Sequence, residues 1–365
     1  MRRHHIGVRE AASVGIIFVI TKIFLPFPRS MAELGGTAAW MIVLIAILLC
    51  PLSWWGIRGV INSAKPGSSL ITATEEIMGP FLGSLINLSY FCFFFMITFI
   101  VLREFSDMIV TDILPRTPLS IILISLLVPV AIIARSGIEV LGRISWLTIG
   151  IIITSVVVLL VGGLMTYSDP KALMPIWGTG KSRVITMGIV KSSLFSELLV
   201  FGFILPRMRK AQEWGQAVWW CLAISSVILL STIITYMYVF PYPTATRINF
   251  PLLEISRIII AGRWIQRVES LFLVVWLLCT VIKLSVGLYC SAATLSQMLR
   301  LPKDQLLIFP LTIIVYNLAI LPTTEMTAVS WDSGTLRMYG SIFSILLPML
   351  TWFVAILRKK WRLQM

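Results

Sequence analysis

The stretch Lys191-Ser192-Ser193-Leu194-Phe195-Ser196-Glu197 decides how the chain is read. It lies inside an apolar run long enough to cross a bilayer, where charges are costly and mark binding sites or ion paths. An earlier stretch matches it: Lys22-Ile23-Phe24-Leu25-Pro26-Phe27-Pro28, in the first apolar run. A further intramembrane charge, Lys283, lies in a later run, followed by Ser285 and Gly287. Interrupted helices at matching places in two halves of a membrane protein point to a substrate site between them.

The composition places these runs in a membrane. Hydrophobic residues make up 58% of the 365 residues, charged residues 13%, and mean hydropathy is +0.94. Soluble domains carry about 25% charged residues, more than this chain has to build a water-facing surface. The net charge of +14 is dispersed over short connecting loops. That pattern fits membrane topology and anionic lipid and excludes a nucleic-acid surface.

Windows of about 20 apolar residues fall near 11–30, 37–58, 81–102, 119–134, 144–166, 186–206, 215–240, 269–290, 306–321 and 339–357. The reading is an all-α membrane protein of ten transmembrane helices, a single domain over 1–365. The first run continues past Met-Arg-Arg-His-His without a small-residue cleavage site, so it reads as a retained span. With the N-terminus cytoplasmic, 16 Lys and Arg lie inside against 11 outside, and both termini are cytoplasmic. Breaks in spans one and six, which cross in opposite directions, predict two inverted five-helix repeats at about 11–166 and 186–357.

Segment 250–261 is too short to span. Leu252, Ile255 and Ile259 share one helical face and Glu254 and Arg257 another. It reads as an amphipathic helix, lying on lipid or packed against neighbouring loops.

Other chemistries are excluded or set aside. The histidines are His4 and His5, so neither a histidine-rich metal site nor a Ser/His/Asp or Cys/His catalytic set can be assembled, and the spans as drawn hold no paired carboxylates. Neither an enzyme nor a cofactor is expected. Cys50, Cys92, Cys221, Cys279 and Cys290 show no CxxC spacing and read as small buried side chains. Gly178-Thr179-Gly180-Lys181-Ser182 imitates the end of a phosphate loop, but Pro175 stands where that pattern needs glycine.

The run Phe250-Pro251-Leu252-Leu253-Glu254-Ile255-Ser256-Arg257, then Arg267-Val268-Glu269-Ser270-Leu271-Phe272 and Trp276, resembles the signature after span seven in B subunits of bacterial endospore germinant receptors. So does the sixth span, with its small polar break, Glu197 and the exit Leu205-Pro206. The similarity covers nearly the whole chain. It implies the inverted-repeat, LeuT-like fold of the amino acid/polyamine/organocation superfamily, with helices one and six broken. It also implies a place in the spore inner membrane beside a larger A subunit and a C-subunit lipoprotein, and an amino-acid-like germinant as ligand.

The candidate binding residues are Lys22, Pro26, Phe27, Pro28, Ser192, Ser193, Phe195, Ser196, Glu197 and Lys283, with Tyr90 and Phe94 of span three as an apolar wall. Pro26 and Pro28 remove two N–H donors. They leave either a plain kink or a half-helix starting near Arg29-Ser30, whose positive end is a natural seat for a carboxylate. Glu197 must be paired or protonated. It holds a ligand ammonium or a proton, or pairs with Lys22 or Lys283; Ser193, one turn earlier, shares its network. The resemblance adds that Lys283 or Lys22 stands where related transporters bind a coupling sodium ion. Lys191, nearer the end of its span, is expected to snorkel to the interface. The alternatives to germinant recognition are an autonomous amino-acid permease, with or without proton coupling, and a structural subunit with a vestigial pocket.

Overall fold

The computed structural model describes residues 6–167, 169–259 and 268–362. Its helices in the first half are α1 Val8–Ile20, α2 Phe27–Gly35, α3 Ala39–Ser63, α4 Leu70–Met78, α5 Pro80–Met108, α6 Leu119–Arg135 and α7 Ile138–Thr166. The second half holds α8 Lys181–Val190, α9 Phe201–Ile204, α10 Trp214–Val239, α11 Pro251–Ile258, α12 Val268–Met298, α13 Ile308–Ile320, α14 Glu325–Ser330, α15 Arg337–Ser341 and α16 Leu347–Arg362. Seven of the resulting segments are long and apolar enough to cross a membrane, and two shorter apolar helices, Leu119–Arg135 and Asp304–Ile320, lie among them. With α1 and α2 as one interrupted span and α14 to α16 as another, the described residues make ten crossings in two sets of five.

Burial sorts the spans. Every residue of α1 from Ala11 to Ile20 is buried, as a helix apolar on all sides should be when it fills the centre of a bundle. By contrast, α6 and α7 expose Ile121, Ile124, Val128, Ile132, Leu147, Ile151 and Val158, an apolar face that only lipid can cover. α5 and α12 pack along each other next to α1, and α3 packs against the segment between α8 and α9. The broken spans are thus enclosed by their neighbours.

Several boundaries differ from the hydropathy windows. Span three runs on to Met108 and a wide turn at Ile109–Ile113. Span ten begins at Glu325 and passes through wide turns at Trp331–Leu336 and Ile342–Leu346. These extensions bring Glu104, Asp107, Asp332 and Arg337 inside the bundle, charges that the hydropathy windows left outside the spans. Charges end a hydropathy window even where pairing lets the helix continue.

The amphipathic reading of 250–261 resolves toward packing. Leu252, Leu253, Ile255 and Ser256 are buried, and Arg257 binds Glu254 at 2.6 Å, Asp112 at 3.4 Å and Glu269 at 3.4 Å. Ile260 and Ala261 of that segment, Arg267 of the quoted signature, and Arg2 and Arg3 of the charge count lie outside the described residues. The phosphate-loop imitation is a packing loop. Thr179 donates its N–H to Gly35 O at 3.3 Å and its hydroxyl to Leu34 O at 3.0 Å. Gly178 sits at φ +39°, where a Cβ would fall 2.2 Å from Gly35 O, so only glycine fits.

Candidate functional site

The first break is short. α1 tightens into a turn over Thr21–Phe24, and Leu25 is extended (φ −97°, ψ −178°). α2 restarts at Phe27, with Pro28 in its first turn, where a missing N–H costs nothing. The half-helix therefore begins about two residues before the expected Arg29-Ser30, and Ser30 N donates to Pro26 O at 2.9 Å. In span six, Lys191–Val200 is wound tightly, and Phe195 leaves helical geometry (φ −108°, ψ 16°). All ten residues of that segment are buried.

Carbonyls freed by such breaks must find donors inside the membrane. Here the lysines supply them. Lys22 Nζ donates to Leu194 O of the second break, and Lys283 Nζ donates to Phe18 O, one turn before the first break, at 2.8 Å. Both lysines also reach Glu197: Lys22 at 2.8 Å from Oε2 and Lys283 at 3.2 Å from Oε1. The sequence left a choice between two partners; the fold uses both.

A third cation completes the arrangement. Arg337 Nη1 lies 2.8 Å from Glu197 Oε1, and its Nε lies 3.2 Å from Asp332 Oδ1. Ser193 hydroxyl donates to the backbone carbonyl of Arg337, so Ser193 joins the network through Arg337 rather than by touching Glu197. The side chains of Lys22, Lys283 and Glu197 are at most 1% exposed and that of Arg337 is 5%. One carboxylate thus faces three cations where the two breaks meet. Such a centre has room in its charge balance for another anion.

Lys191 corrects its expectation. It does not snorkel: it is 5% exposed, and its Nζ donates to Ser333 O at 2.7 Å. That bond meets a carbonyl freed by the wide turn in span ten, which hydropathy could not foresee.

The remaining candidates are distributed around this centre. Phe94 packs on Phe18 at 6.2 Å and Phe203 at 5.0 Å between ring centroids, and Lys283 Nζ stands 5.2 Å from the Phe18 ring. Phe94 therefore belongs to the wall beside the cationic centre. Tyr90 is fully buried, and its hydroxyl has no hydrogen-bond partner among the described residues. Phe195, Ser192 and Ser196 are buried in the break, and Ser196 Oγ has no hydrogen-bond partner among the described residues. Pro26, Phe27 and Pro28 are buried and shape the turn rather than supplying donors.

Sequence reading missed Arg337, Glu104 and the pair Arg103–Asp107. Arg103 holds Asp107 at 2.8 Å and donates to Ala319 O at 2.9 Å, closing the end of the 13-residue α13. The available signal was the i, i+4 spacing of Arg103 and Asp107 just beyond an apolar window.

The chain is an integral, multi-pass membrane protein with an inverted-repeat, LeuT-like fold. Mhp1, a nucleobase-cation-symport-1 family transporter in a closed conformation with bromovinylhydantoin bound, superposes with a TM-score of 0.67 at 15% identity, covering 93% of this chain and 75% of that one. MhsT in complex with L-phenylalanine superposes with a TM-score of 0.64 at 12% identity, covering 98% and 99%. A profile of the spore germination protein family matches residues 5–327, and the chain belongs to that family. Among its relatives in Bacillus subtilis (strain 168), spore germination protein KB is 26% identical over 99% of this chain and 97% of its own length. Spore germination protein A2 is 22% identical over 92% and 91%. The resemblance to germinant-receptor B subunits and the LeuT-like fold are both borne out.

Proposed function

We propose that this chain is the nutrient-recognition subunit of a spore germinant receptor. It binds an amino-acid-like ligand between the two breaks and passes a conformational signal to an A-type membrane subunit and a C-type lipoprotein. It resides in the spore inner membrane with both termini cytoplasmic, and no reaction takes place at its site. The observation that carries this reading is the convergence of Lys22, Lys283 and Arg337 on the single carboxylate of Glu197. A ligand carboxylate competes with Glu197 for those cations. By taking one of them it loosens a clamp that joins spans one, six, eight and ten, and a ligand shifts a conformational balance only through such differential contacts.

A second reading, an autonomous amino-acid permease, is supported by the fold likeness to transporters over more than nine-tenths of the chain. Fold alone does not separate the two. The purified chain in proteoliposomes separates them: binding of labelled amino acids without accumulation supports the receptor, and accumulation against a gradient supports the permease. Absence of both would defeat each reading.

A further inference from the structure

Glu104 is a buried charge that the clamp does not use. It is 1% exposed, and its Oε2 has no hydrogen-bond partner among the described residues. On the same face of α5, one turn to either side, stand Ile100 and Met108, both buried and apolar. A carboxylate stripped of water and hydrogen bonds is costly until a proton or a cation joins it.

The cations nearby are already engaged. Arg103 holds Asp107 and the end of α13. Arg337 is divided between Glu197 and Asp332. Lys283 holds Glu197 and Phe18 O, and Lys191 is tied to Ser333 O. Arg337 and Lys283 act on Glu104 electrostatically, yet among the described residues no basic group forms an ion pair with it. α5 packs against both α12, which carries Lys283, and the turn at Trp331–Leu336, which leads into Arg337. The core therefore holds two complementary imbalances of charge: three cations against the two carboxylates of Glu197 and Asp332, and a further carboxylate, Glu104, with no ion pair among the described residues.

We propose that Glu104 receives the ammonium group of a zwitterionic ligand whose carboxylate is held by the Lys22, Lys283 and Arg337 group. This rests on the reading of an amino-acid ligand given above and assigns the ligand's second pole. A ligand with both charges satisfies both ends of the site, whereas a simple carboxylate leaves Glu104 unmatched. Unmatched buried groups are what give such sites selectivity between close analogues.

The test uses the full chain in lipid nanodiscs, with ligand-induced stabilisation as the readout. The probes are L-alanine and L-leucine, each beside its desamino counterpart, propionate and 4-methylpentanoate. Wild type is expected to prefer the amino acids. Glu104→Gln, which breaks no hydrogen bond of Oε2, is expected to weaken amino-acid binding by about tenfold to hundredfold and to leave the desamino acids unchanged, so that the preference collapses. Glu104→Asp, which keeps the charge, is expected to retain part of the preference. Wild-type binding with the same preference in Glu104→Gln overturns the assignment of Glu104 alone. Failure of wild type to bind either amino acid overturns the amino-acid reading and this assignment together. Loss of folded protein in both variants shows Glu104 to be structural and overturns the assignment as well.

Discussion

Lys22 Nζ stands 2.8 Å from Glu197 Oε2 across 175 residues of chain, and neither side chain is more than 1% exposed. The contact joins the two interrupted spans at the point where each has lost its regular backbone bonding. Lys22 extends the link to Leu194 O, so the ammonium stabilises both a side chain and an opened helix. Removing Glu197 should therefore act on spans one, six, eight and ten at once.

Glu197→Ala is expected to cost about 3–5 kcal/mol, because it strands three buried cations. Thermal unfolding in detergent and the amount of protein in the membrane would both register it. Adding Lys22→Met should restore only part of the loss, since Lys283 and Arg337 still lack the Glu197 carboxylate. Complete rescue by Lys22→Met would show that the other two do not share the carboxylate.

Arg337 bridges Glu197 and Asp332, and its planar fork matters as much as its charge. Arg337→Lys is expected to unfold at a lower temperature than the native chain despite conserving charge. A double-mutant cycle of Arg337→Met with Asp332→Asn should return a coupling of about 1–3 kcal/mol. Additive effects would argue that the 3.2 Å contact contributes nothing.

Gly287 sets how closely α12 approaches α5. A Cβ there would lie 2.4 Å from Thr98 Oγ1, so Gly287→Ala overpacks the interface four residues from Lys283. The expected cost is about 1–3 kcal/mol. Thr98→Ala removes the obstructing hydroxyl, and the double variant should melt closer to wild type than Gly287→Ala does. A double variant that melts no higher than Gly287→Ala would locate the strain elsewhere.

Arg103 closes the far end of α13 through Ala319 O and Ile320 O. Arg103→Met is expected to destabilise the protein more than Asp107→Asn, because the arginine serves two helices and the aspartate one. Amide hydrogen exchange should increase in span nine for the arginine variant and remain near native for the aspartate variant. Equal exchange in the two would remove the carbonyl-closing role.

Much of this architecture is legible in the chain itself. The ten apolar runs, the prolines after Lys22 and the serines before Glu197 locate the spans and both breaks, and Lys22, Glu197 and Lys283 do converge. What is hidden has a common cause. Average hydropathy treats a charge as the end of a span, whereas Arg103, Glu104, Asp107, Asp332 and Arg337 lie on membrane helices that continue past them. Arg337 reaches Glu197 and Arg103 reaches Ala319 O across the bundle, and such contacts are a property of the fold. Lys191 illustrates the same point, since its acceptor, Ser333 O, is freed by a turn whose width no apolar count reveals.

The distance along the chain between paired charges governs how the protein must be made. Synthesis delivers Lys22 175 residues before Glu197, and Arg337 follows Glu197 by a further 140. Arg103 likewise precedes the carbonyl of Ala319 by 216 residues. Chains emerge N-terminus first, so the early spans wait with uncompensated charges while the later ones are being translated. Neither half is electrically complete alone. A ribosome stalled before span ten would leave a product recognisable to membrane quality control as unfinished, and the two halves expressed separately should persist only when produced together.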